Sequence, residues 1–93
     1  MRAAKIDANQ EEIVAALRKV GATVQSLAGV GRGVPDLLIG YQGVTYLVEC
    51  KDGAKVPSAR KLTPDQEDWH SKWTGGTLRV ASNVEEALNI IEA

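Results

Sequence analysis

Apolar positions along the chain change their period several times, and each change marks an element. Ile13, Ala16, Leu17 and Val20 recur at helical spacing until Gly21 interrupts them, which predicts a helix over residues 8–20 with Asp7 able to cap it. ATVQSL (22–27) alternates and predicts a strand. GVGRG (29–33) is too rich in glycine to be anything but loop. PDLLI (35–39) predicts a second strand, with Pro35 tolerable at its first position, and Gln42-Gly43 a tight turn into a third strand over 44–51. The three strands together read as an antiparallel meander.

The stretch 52–61 has no apolar period and reads as an exposed loop. Thr63-Pro64-Asp65-Gln66 has the form of a capping box with proline at the first helical position, which starts a helix carrying Trp69 and Trp73 that ends at Gly75-Gly76. TLRVA (77–81) predicts a fourth strand. Ser82 or Asn83 then caps a last helix whose Val84, Ala87, Leu88 and Ile91 form one face. The resulting order, α-β-β-β-α-β-α, predicts one α/β unit over 1–93, a mixed sheet flanked by helices, without repeat or linker.

Composition narrows the function classes. A domain of 93 residues buries only a little over ~60% of the surface of its unfolded chain, so its core is thin and self-association is expected. No apolar run is long enough to span a membrane, and the start, MRAAKIDANQ, has no apolar block of the kind a secretory signal needs. The expectation is a cytoplasmic protein. The single cysteine, Cys50, excludes an internal disulfide and lies near no zinc-ligand spacing. A net charge of −1 does not advertise a nucleic-acid binder, yet charge segregated by face or added by a bound cation leaves that class open.

The candidate chemistry lies at the end of the third strand, LVECKDG (47–53). Side chains alternate along a strand, so Glu49 and Lys51 share one face with Leu47, about 7 Å apart, while Tyr46, Val48 and Cys50 take the other. A strand apolar on both faces is usually central, where a charge must be paired, metal-bound or functional. The competing reading is a strand end frayed into solvent, with Glu49 and Lys51 a surface ion pair of little consequence. Hairpin pairing about Gln42-Gly43 puts residues whose numbers sum to about 85 opposite each other, so Asp36 meets Glu49 at about 5 Å. Opposed carboxylates call for a cation between them. A hard divalent ion such as Mg²⁺ suits this place, and the adjacent lysine can orient water and stabilise charge on phosphorus.

Val34-Pro35-Asp36, a gap of twelve residues, and Glu49-Cys50-Lys51 resemble the PD-(D/E)xK nuclease signature. GRGVPDLLIG, LVECKDG and LTPDQEDWH together resemble the virus-type replication-repair nuclease (VRR-NUC) module in its minimal standalone form, nearly over the whole chain. The resemblance implies a restriction-endonuclease-like core and Mg²⁺- or Mn²⁺-dependent hydrolysis of DNA phosphodiesters. Asp36, Glu49 and the Cys50 carbonyl would be metal ligands, and Lys51 would position the attacking water. It also implies branched or structured DNA as substrate, such as Holliday junctions or flaps, DNA repair as the setting, and a bacterial or phage-infected cell. A homodimer would supply paired sites. The alternatives are a duplex-nicking or restriction-like nuclease and a non-catalytic nucleic-acid-binding module.

Other candidates each have a plainer explanation. The family often adds an acid from the first helix; Glu12 flanks the buried stripe and is favoured, Gln10 points toward the core side as a second candidate, and Glu11 points outward. Ordinary complementation of the helix dipole accounts equally for the two glutamates. Gln66 resembles a glutamine that can touch substrate or water, and it also completes the capping box. Arg32, Lys55, Arg60 and Lys61 are candidate phosphate contacts on surface loops. Trp69 and Trp73, four apart on a helix, read as core or dimer contacts rather than a base-stacking platform.

Overall fold

The computed structural model describes residues 8–92, with helix α1 at Ala8–Lys19, strands β1 at Thr23–Ser26, β2 at Leu37–Tyr41 and β3 at Val44–Cys50, helix α2 at Pro64–Lys72, strand β4 at Thr77–Ala81 and helix α3 at Val84–Glu92. The proposed cap Asp7 lies outside the described residues. The sheet order is β1-β2-β3-β4, with β1, β2 and β3 an antiparallel meander and β4 parallel to β3. This is the mixed α/β sheet that the sequence predicts.

Two backbone devices fix the frame. Gly21, at φ +100, ends α1: its N–H donates to Arg18 O and the Ala22 N–H donates to Leu17 O, the paired bonds of a Schellman cap. Gln42 and Gly43 both have positive φ, 50 and 83, as a two-residue hairpin with the strands' own twist requires. That turn sets the β2–β3 register, in which Leu37 faces Val48 and Tyr41 faces Val44.

Alternation then sorts the side chains. Val24, Leu37, Ile39, Tyr46, Val48 and Ala81 lie on one face of the sheet and meet Ile13 and Leu17 of α1 and Ala87 and Ile91 of α3 in a single buried cluster. Tyr46 Oη donates to Ile91 O at 3.3 Å, tying the central strand to the end of α3. Cys50 packs against this cluster, in keeping with a structural side chain. Helix α2 lies on the other face, which carries Leu47 and Glu49, and buries none of its own residues.

Several boundaries differ from expectation. β1 is shorter than 22–27, and β2 begins at Leu37 rather than Pro35 and runs on to Tyr41. The reason lies in Pro35 and Asp36: proline has no N–H to give to a ladder, and the Asp36 carboxylate accepts the Cys50 N–H at 2.9 Å, where a ladder partner would sit. The loop 52–61 contains a one-turn 3₁₀ helix, Pro57–Arg60. Asn83, rather than Ser82, caps α3, its Oδ1 accepting from Glu86 N at 2.8 Å while Glu86 Oε1 accepts from Ser82 N. The Trp pair is not core: Trp69 is half-buried and Trp73 is 39% exposed.

Candidate metal and phosphate site

The C-terminal end of β3 sits between the incoming residue before β2 and the first turn of α2. Glu49 is 2% exposed. Its Oε2 accepts from Gln66 Nε2 at 2.9 Å and lies 3.9 Å from Lys51 Nζ. Its Oε1 is buried and has no donor. The Asp36 carboxyl lies within hydrogen-bonding reach of the Glu49 carboxyl. Two carboxylates are both acceptors, so a proton, a cation or a donor such as water must stand between them. Burial first, and then the Asp36 charge and hydrogen bond, push the Glu49 carboxyl up to about 8, with Lys51 opposing. A strand end frayed into solvent is therefore not what the fold contains.

Lys51 is held as firmly. Its Nζ donates to Gln66 Oε1 at 2.7 Å with the side chain 13% exposed, and its backbone N–H continues toward β4 by donating to Ala81 O. Gln66 thus links carboxylate and ammonium through opposite ends of one amide. The same Oε1 accepts from Thr63 N at 2.9 Å while Thr63 Oγ1 accepts from Gln66 N, so the capping box is intact as well. Both roles foreseen for Gln66 coexist, because capping points its side chain back over the helix start, where β3 ends.

A cleft of about 260 Å³ opens here, lined by Gln10, Asp36, Glu49, Cys50, Lys51, Asp52, Lys55 and Ala59. From α1 it is Gln10, 6% exposed, that reaches it; Glu12 and Glu11 are exposed and do not line it. The favoured acid is thereby displaced by the second candidate. Gln10, Ile13 and Leu17 form the stripe turned toward the sheet, and Glu12 is two residues, some 200° of helix, away from Gln10. Among the described residues no three His, Cys, Asp or Glu side chains gather at one point. Two carboxylates suffice for a hard cation that keeps waters and takes phosphate oxygens, and the donorless Glu49 Oε1 beside a second carboxyl fits that role.

The basic candidates spread out. Lys55 lines the cleft, Lys61 is exposed, and Arg60 is half-buried with its Nε buried and without a partner. Arg32 is exposed at φ +58 between two left-handed glycines and does not line the cleft. Its loop is nevertheless anchored beside the site, since a Cβ on Gly33 would run into the Asp65 carbonyl at the start of α2.

Three nearby residues escaped the sequence reading. Asn9 Nδ2 donates to Lys51 O at 2.6 Å, clamping α1 to the end of β3. Asp52 lines the cleft and folds the following loop by accepting from Ala54 N. His70 has a buried Nε2 without a partner, and burial together with the charge of Lys51 pushes its pKa below the ordinary value. Its spacing of four from Gln66 was the available signal.

No family model matches the chain, and no curated protein matches it. A solved structure described as a VRR_NUC domain is similar, with 28% identity over 89% of this chain and 89% of that one and a TM-score of 0.65. The likeness covers nearly all of both chains, falls on the family that the quoted segments resemble, and supports a VRR-NUC nuclease-fold domain.

Proposed function

We propose that the stretch 1–93 acts as one Mg²⁺- or Mn²⁺-dependent DNA endonuclease, hydrolysing phosphodiester bonds in branched or structured DNA as a homodimer, in the cytoplasm of a bacterial or phage-infected cell. The observation that carries the reading is the pair Asp36 and Glu49, with a buried carboxylate oxygen that lacks any donor. The residues that would hold the cation are Asp36, Glu49 and the Cys50 carbonyl. Bound there, it would supply positive charge against the phosphate and lower the pKa of a bound water.

The chain's own groups do the rest. Lys51, steered by Gln66 Oε1, presents an ammonium to the attacking water and to the charge that builds on the phosphate oxygens. Gln66 holds Glu49 and Lys51 at fixed separation, which keeps ligand and ammonium aligned. Gln10, which also lines the cleft, offers an amide to water or phosphate. Lys55 offers the DNA backbone a cation from the cleft itself, and Arg60, Lys61 and Arg32 would extend that contact from the neighbouring loops, all of it weakening as salt rises.

A non-catalytic binding module is the second reading. Two opposed carboxylates, one of them buried, weigh against it, because they repel DNA phosphates and destabilise the fold with no return. The test is incubation of purified protein with junction, flap and linear duplex DNA in Mg²⁺, Mn²⁺ and EDTA. Cleavage is expected with either metal and none in EDTA, with Lys51→Ala slower by about 10²-fold or more. Metal-independent products, or a Lys51→Ala protein that cuts like wild type, would overturn the assignment.

A further inference from the structure

Gln66, Trp69, His70 and Trp73 follow one another on α2 at i, i+3, i+4 and i+7, so they share a face. That face begins at the candidate site, where Gln66 contacts Glu49 and Lys51. It ends at Trp73, about 10 Å further along the helix axis. The two indoles are stacked, with ring centroids 5.1 Å apart and planes 16° from parallel. Trp73 is fixed in this pose from two further directions. Its Nε1 donates to Gly76 O at 2.9 Å, and its ring lies over Gly75 so closely that a Cβ there would collide with it. An indole held this rigidly and left 39% exposed loses little entropy when something flat lies on it.

A cleft of about 300 Å³ opens against the pair, lined by Asp68, Trp69, Lys72 and Trp73. Its chemistry selects among occupants. Lys72, its one cation, stands 3.1 Å from Asp68, so the two charges cancel and a phosphate meets no net positive charge there. A neutral, flat heterocycle does fit: the indoles provide the floor, the Asp68 carboxylate accepts from an exocyclic amino group and the Lys72 ammonium donates to a ring carbonyl. The separation from the carboxylates suits a strand whose cleaved phosphate lies at Asp36 and Glu49 and whose base, one or two nucleotides away, is out of the duplex.

We infer that Trp69 and Trp73 form a stacking platform for an unpaired nucleobase next to the scissile phosphate. This rests on the nuclease reading above and deepens it: the platform selects DNA with a single-stranded or splayed segment at the cut, because a paired base keeps both faces in its own stack.

The chain's two tryptophans are both in the platform, so intrinsic fluorescence reports on it directly. The full chain is titrated with a single-stranded oligodeoxycytidylate and with a blunt duplex of equal length, in EDTA and again in Ca²⁺, while anisotropy of labelled DNA follows binding. Saturable quenching by the single strand and little by the duplex is expected. Trp73→Ala should bind the single strand about 5- to 150-fold more weakly, and Trp73→Phe should recover most of the loss. Binding that leaves the emission of wild type unchanged overturns the platform, as does absence of single-strand binding or equal affinity in Trp73→Ala. Emission that varies with protein concentration alone, without DNA, overturns it too and assigns the surface to a second copy of the chain. Metal-dependent cleavage is measured separately, so a protein that cuts DNA without any tryptophan response refutes the platform and leaves the nuclease reading standing.

Discussion

Replacing Glu49 by glutamine keeps the shape and the acceptor for Gln66 but removes the titrating carboxyl. The buried carboxyl is held near 8 in the fold against 4.5 as its ordinary value, so the folded chain keeps a proton that the unfolded chain releases. Stability from this group is therefore complete below about 4.5 and is lost as pH rises through about 8. Each pH unit within that window costs about 1.4 kcal/mol for one proton, which sets a ceiling of roughly 5 kcal/mol. Because Asp36 shares in the titration and effective dielectrics in proteins lie nearer 20 than 4, half of that ceiling, about 2–3 kcal/mol, is the expected size. Glu49→Gln is expected to match wild type near pH 4.5 and to exceed it by that amount at pH 8, in urea unfolding with EDTA present. Groups that do not touch Glu49 cancel in the difference, and Asp36 and Lys51, which do, titrate together with it. Mg²⁺ at pH 8 should raise the stability of wild type and leave Glu49→Gln nearly unchanged, since only the former offers two carboxylates. A stability difference that does not grow with pH, or a variant less stable than wild type at pH 8, would refute the account of Glu49.

Other substitutions probe the supports of the site. Gly33→Ala places a methyl group on the Asp65 carbonyl at a backbone φ of +84, and should lower stability by about 2 kcal/mol or more in thermal or urea unfolding. Arg32→Gly relieves a left-handed non-glycine residue and should stabilise the fold by up to about 1 kcal/mol, while the slope of log K for DNA against log salt falls by about 1 if Arg32 meets a phosphate. Gln66→Ala removes both the cap and the Glu49–Lys51 link; a loss of about 1–2 kcal/mol in unfolding is expected, and cleavage should fall even at temperatures where the variant is fully folded.

Much of this fold could be read from local rules. Gln42-Gly43 is a two-residue turn, and once a hairpin turn is known the register of every later pair follows, which is why the turn alone sets Asp36 against Glu49. Gly21 and the Thr63–Gln66 box marked helix ends because caps involve only neighbouring residues. Boundaries failed where a distant group intervened: β2 starts late because the Asp36 side chain takes a backbone N–H fourteen residues away. Glu12 was favoured over Gln10 because the wheel of α1 gives the direction of a side chain relative to its own helix. It does not say how α1 is rotated and slid over the sheet, and it is that placement, clamped by Asn9 on Lys51 O, that delivers Gln10 to the cleft.

The tryptophans draw the same line more sharply. Spacing alone shows that Trp69 and Trp73 share a face with Gln66, and apolar side chains on one helix face normally turn inward. Here the capping box and the amide of Gln66 hold the first turn of α2 against the end of β3, and the helix buries none of its residues, so the indoles stack on each other with Trp73 open to solvent. The sequence by itself determined the elements, the hairpin register and the meeting of Asp36 with Glu49 and Lys51, because each depends on periodicity and short-range geometry. Only the tertiary structure decided that Glu49 lies buried with an oxygen lacking a donor, that Gln66 joins it to Lys51, and that Gln10 rather than Glu12 faces them. Those facts depend on how whole elements pack, and packing is set by the sum of many distant contacts that no local pattern records.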